Sequence, residues 1–180
     1  NLYQKIAPLH DEQKLPPLTL SHLKKLTDDF GVIQFAKHTD PDLRYGYSLD
    51  DNARALMVAA MALKQNYPEA LELLNRYLRF TRFAMRPNGT FANLVNAKHR
   101  IVRQQLSEDA QGRALWALGY LVSQESLPSD IRKEADRHFR RAIPVIARIA
   151  SLRATAFAMI GLYYYIRTKR NVRFAKLLEK

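Results

Sequence analysis

Two stretches of the chain combine adjacent acids with an amide and an arginine at fixed spacing. The first is Ser48-Leu49-Asp50-Asp51-Asn52-Ala53-Arg54-Ala55-Leu56. The second is Ser107-Glu108-Asp109-Ala110-Gln111-Gly112-Arg113-Ala114-Leu115. Both read S-x-D-x-[N/Q]-[A/G]-R-A-L. Paired carboxylates can do acid/base work, one giving a proton and the other taking one. Asp50, Asp51 and Asp109 are the candidate acid/base residues on this reading. Asn52, Arg54, Gln111 and Arg113 are placed to hydrogen-bond a ligand, and an arginine can also clamp a carboxylate or phosphate through two parallel bonds. Tyr45, Tyr47 and Trp116 offer flat rings for stacking. Asn93, Glu108 and Arg153 complete the candidate substrate-binding set.

The same residues also have a purely structural use. Acids in a first helical turn are stabilised by the helix dipole, by up to about 1 kcal/mol each. Asp50 with Arg54, and Asp109 with Arg113, are i,i+4 pairs in the stabilising order. Both arginines, however, continue into nearly all-apolar helices, and partly buried ion pairs contribute little to stability. That favours a pocket. A helix N-terminus favours the ionised carboxylate, which suits a general base better than an acid.

The elements that must carry these groups are helices. Only six glycines and eight prolines occur. Residues 1 to 17, with Pro8, Pro16 and Pro17, read as an arm or linker, and 18 to 180 as a single domain. A helix is expected from Leu18 to Phe30, closed by Gly31, then a loop through the turn residues His38-Thr39-Asp40-Pro41-Asp42. Ser48 caps an apolar helix to about Gln65. An amphipathic helix follows Pro68 and ends at Pro87-Asn88-Gly89. Ser107 caps the second apolar helix. Pro128-Ser129-Asp130 opens an Arg-rich helix that Pro144 should kink or break. Ser151-Leu152-Arg153-Ala154-Thr155-Ala156-Phe157 is a decayed third copy and caps a third apolar helix. A short basic helix finishes the chain. Self-similar segments at unequal spacing, longer than tetratricopeptide repeats, mark a repeat architecture. Apolar helices alternating with amphipathic ones point to an all-α fold of α/α-toroid type, with about three hairpins.

The string Tyr45-Gly46-Tyr47-Ser48-Leu49-Asp50-Asp51-Asn52-Ala53-Arg54-Ala55-Leu56 resembles a GY-x-x-DDNARAL motif. Ser107-Glu108-Asp109 with Gly112-Arg113-Ala114-Leu115-Trp116-Ala117-Leu118-Gly119 resembles its partner, SED-x-x-GRALWALG. Phe91-Ala92-Asn93 resembles an F-x-N element between them, and the third copy resembles an SPRA…FAIIGL element. These belong to six-hairpin, glycosidase-like (α/α) toroid domains, found alone or attached to bacterial and archaeal glycosyltransferases. The resemblance runs from about Gly31 onward. It implies a carbohydrate-active domain that binds, and hydrolyses or otherwise processes, oligo- or polysaccharide. The ligand would sit in a cleft at the N-terminal ends of the inner helices. Gln111 stands where the family commonly has His, and Leu152 where it has Pro. Three hairpins are half of such a toroid. The resemblance brings in a glycosyltransferase partner or domain, and the uncovered inner face a homo-oligomer.

Lys plus Arg number 29 against 17 Asp plus Glu, a net charge of +12. The alternative reading this supports is a non-catalytic helical-repeat module with a basic concave face for a protein or an anionic polymer. The cations are dispersed, which argues against nucleic acid. The absence of cysteine excludes disulfides and thiolate metal sites. The five histidines show no metal-ligand spacing, so no metal or cofactor is expected. His38 and His99 stand in loops that could rim the cleft. No membrane span is expected, since no apolar run approaches about 20 residues. No signal peptide is visible, which points to the cytoplasm.

Overall fold

The computed structural model describes residues 17–102 and 106–169. Among them it is mostly helical. The helices are α1 (Ser21–Lys25), α2 (Leu49–Lys64), α3 (Ala70–Ala84), α4 (Glu108–Ser123), α5 (Ser129–Ile146) and α6 (Leu152–Lys169). Four two-residue strands pair antiparallel: β1 (Ala36–Lys37) with β2 (Asp40–Pro41), and β3 (Tyr47–Ser48) with β4 (Leu94–Val95). In the second pair Tyr47 faces Val95 and Ser48 faces Leu94, which ties the loop before α2 to the loop leading to α4.

The motif-bearing helices α2, α4 and α6 form one row, and α3 and α5 pack behind it. The reason is in the residues. α4 is buried around most of its circumference, and α2 nearly so. α3 and α5 bury a single face, through Leu73, Leu74, Tyr77 and Phe80 in one and Ile131, Ala135, Phe139 and Ala142 in the other. An apolar stripe on one side makes a covering helix, and apolar residues on most sides make a covered one.

α4 and α6 run parallel and touch backbone to backbone at their glycines, with Trp116 stacked on Phe157 and Tyr120 edge-on to Tyr164 beside those contacts. A Cβ on Gly112 would fall on the carbonyl oxygen of Ala154, and one on Gly119 would fall on that of Gly161. A Cβ on Gly161 would in turn strike the carbonyl of Leu115. Only glycine permits this approach of backbone to backbone.

Several sequence expectations need correction. The first helix is five residues long and does not reach Phe30. Instead Asp28 Oδ1 accepts the amides of Phe30 at 2.9 Å and Gly31 at 3.1 Å, and Thr27 forms a bridge with Val32, so the chain reverses there. The expected loop after Gly31 holds the β1–β2 hairpin and a 3₁₀ turn at Leu43–Tyr45. Pro144 does not break α5; it lies in the last turn, and the helix runs on to Ile146. The expected arm of residues 1 to 17, apart from its last residue, and the final basic helix lie outside the described residues.

Candidate functional site

The N-terminal ends of α2, α4 and α6 open on one cavity of about 630 Å³. Its lining includes Asp50, Asp51 and Arg54 from α2, Asp109 and Arg113 from α4, and Arg153 from α6. Gln34, Phe35, Asn93 and Leu94 come from the loops. Each helix start is fixed locally. Ser48 Oγ accepts the amide of Asp51 at 3.1 Å and donates to Asp51 Oδ2 at 2.5 Å. Ser107 Oγ accepts the amide of Ala110 at 3.3 Å.

The ion pairs run between helices and not only within them. Arg54 Nη2 lies 2.7 Å from Asp50 Oδ2, the expected i,i+4 pair, and also 2.5 Å from Asp51 Oδ1, at i,i+3. The expected Asp109–Arg113 pair is not formed. Arg113 Nε reaches back to Asp50 Oδ1 at 2.5 Å, while Asp109 Oδ2 is taken by Arg153 of α6. The close seat of α6 explains the exchange: it places Phe157 4.2 Å beneath the Arg113 guanidinium and Arg153 beside Asp109. Asp50 therefore has an arginine at each carboxylate oxygen, though Arg113 Nε and Asp50 Oδ1 are not aligned for a hydrogen bond. Among the described residues no protein group bonds Asp109 Oδ1. The side chains of Asp50, Asp51 and Asp109 are each about a quarter to a third exposed, and those of Arg54 and Arg153 more than half.

Asn93 positions the first acid. Its backbone oxygen accepts the amide of Leu49 at 2.7 Å, and its side-chain oxygen that of Asp50 at 3.3 Å.

Five of the expected ligands are placed elsewhere. Asn52 is fully buried: its Oδ1 accepts from Val32 N at 3.0 Å and its Nδ2 donates to Val32 O at 3.2 Å. Gln111 grips Phe91 in the same way, at 2.7 and 2.9 Å. Both amides thus hold a backbone position 20 residues upstream and have no capacity aimed at the cavity. Tyr47 is fully buried, edge-on to Phe30, and its hydroxyl donates to Asp28 Oδ2 at 2.5 Å. Burial, with that bond, holds the Tyr47 phenol well above its ordinary titration range. Glu108 accepts the amides of Ala150 and Ser151 at 3.1 and 2.6 Å, so it caps the turn into α6. Tyr45 is exposed but lies behind Phe35, ring centroids 4.7 Å apart, and does not line the cavity.

Trp116 is half-buried, stacked on Phe157 at 5.6 Å, and also stands outside the lining. His38 and His99 do not rim the cavity either. Both adopt left-handed backbone, and His99 stacks on Phe30 at 4.0 Å. Further along α6, Tyr165 is core and Tyr163 is about half exposed.

Gln34, Phe35 and Leu94 are the lining residues that the motifs did not mark. Their only sequence cue was position: Gln34 and Phe35 in the loop that leads into the first acid-bearing helix, Leu94 in the loop between the two motifs. Phe35 is half exposed and, among the described residues, is the one aromatic ring of the lining. Among the described residues no cluster of His, Asp or Glu could hold a metal ion.

No model of a known protein family matches the chain, and no curated protein matches it.

Proposed function

We propose that the cavity is the carbohydrate site of an α/α-toroid-type, glycosidase-like domain, and that it binds and hydrolyses oligosaccharide. One observation carries the reading. Acids from two successive motif helices and arginines from three converge on one cavity, and two of the pairs that hold them, Asp50–Arg113 and Asp109–Arg153, cross from helix to helix. Groups serving only their own helix ends would pair within their own helices. Asp109, with one oxygen free of partners among the described residues, is the acid/base candidate in contact with ligand. Asp50 supplies a fixed negative charge, Arg54 and Arg153 bind hydroxyls or an anionic sugar substituent, and Phe35 stacks on a ring. The resemblance to domains attached to glycosyltransferases fits a role in building or trimming glycans. The cavity's mixture of acids and arginines does not favour a basic concave face for an anionic polymer.

Isothermal titration against manno- and gluco-oligosaccharides tests the assignment. Binding should weaken at least about tenfold in Asp109→Asn and in Arg153→Ala. Unchanged binding in both variants removes these residues from the site.

A further inference from the structure

The outward sides of α3 and α5 carry a field of cations with few acids to answer it. On α3, Arg79 and Arg82 stand at i and i+3, and Arg86 follows just past the end of the helix. On α5, Lys133, Arg137 and Arg141 recur at i, i+4 and i+8. The two faces adjoin. Arg82 Nη1 lies 3.4 Å from Glu134 Oε1, and Arg141 Nη2 donates to Pro87 O at 2.9 Å. Asp136, the neighbouring acid, is taken by Arg140 at 3.1 Å and by the Tyr165 hydroxyl. Among the described residues, Arg79, Arg86, Lys133 and Arg137 have no carboxylate partner. Phe83 lies between Arg79 and Arg86 and is 40% exposed.

We propose that this face docks on an anionic lipid bilayer. The acids of the motif helices gather at the N-terminal ends of α2 and α4, whereas on the backs of α3 and α5 Arg79, Lys133 and Arg137 stand without carboxylate partners among the described residues. Each basic side chain held near an anionic bilayer adds attraction, and the contributions sum over the face. The shape fits a plane. The cations come from two helices side by side, whereas a duplex reader must project one helix or ribbon into a groove. Phe83 supplies the apolar residue that interfacial helices bury at the headgroup boundary. Long arginine arms keep their charge in water while their stems lie along apolar surface. The inference is independent of what the cavity binds.

Co-sedimentation with vesicles of phosphatidylcholine alone, or mixed with phosphatidylglycerol, tests it. The chain should pellet only with the mixed vesicles, and binding should fall steeply as salt rises. Arg79→Glu with Arg137→Glu should weaken partitioning at least about tenfold, while Arg79→Lys with Arg137→Lys should preserve it. Lys64→Glu with Lys169→Glu, away from this face, should bind as the parent does. Thermal melts of all variants separate lost binding from lost folding. Three results overturn the proposal: no pelleting with mixed vesicles at low salt, parent-like binding by the folded double-Glu variant, or tighter binding to a short DNA duplex through the same arginines.

Discussion

Gln111 spends both ends of its side-chain amide on the backbone of Phe91, and Asn52 does the same for Val32. Truncating either leaves a buried N–H and a buried carbonyl without partners, at about 1–3 kcal/mol for each group. Gln111→Ala should therefore lose at least about 2 kcal/mol in urea unfolding. Gln111→Glu should also be destabilised, since it keeps the acceptor and loses the donor to Phe91 O. The residue types in the motif were readable as polar groups at one helix end. Their partners were not, because the bonded backbone lies 20 residues away in a loop without regular pattern. The same gap hid the true partners of Arg113 and Asp109. An i,i+4 rule sees only one helix, and both pairs cross to another. Phe35 and Gln34 had no motif to announce them, since a loop residue becomes a lining residue only through the path of the chain.

At the level of elements, the glycines of α4 and α6 give the sharpest test. In an ordinary exposed helix, Gly→Ala gains about 1 kcal/mol from helix propensity. Here the added methyl meets the neighbouring helix's carbonyl oxygens. Gly119→Ala and Gly161→Ala should reverse the sign and cost about 1–3 kcal/mol or more, seen as a lower melting temperature. Helix positions from Ser48 onward were legible because serine caps, apolar runs and Gly/Pro stops coincide. α1 was over-extended because Leu18 to Phe30 has helical spacing. What overrode it was Asp28, whose side chain offers the chain a turn instead. Proline is expected to kink or break a helix, but Pro144 lies close to the end of α5, where fewer turns remain for it to disrupt, and the helix is not broken there.

For the molecule as a whole, acid sensitivity has an identifiable source. His138 is buried on α5, with Nε2 3.5 Å from Glu134. Burial pushes it below its ordinary value of 6.5; Glu134 opposes that, and Arg137 and Arg82 add to it. The unfolded chain therefore takes up the proton first. Stability should be full above pH 6.5 and fall as pH drops through and below that value. Melting curves between about pH 7 and 5.5, above the range of ordinary carboxylates, should show the decline. His138→Gln should flatten it. A parent profile flat across that range contradicts the assignment.

The glycine contacts have a consequence for motion. At Gly112, Gly119 and Gly161 the two helices touch backbone to backbone, and the Trp116–Phe157 and Tyr120–Tyr164 pairs flank the seam, so α4 and α6 are expected to move together. Breathing of the cavity would then fall between α2 and α4, lengthening the Asp50–Arg113 link and sparing Asp109–Arg153. Of the two cross-helix links, the first would report such an opening and the second would not.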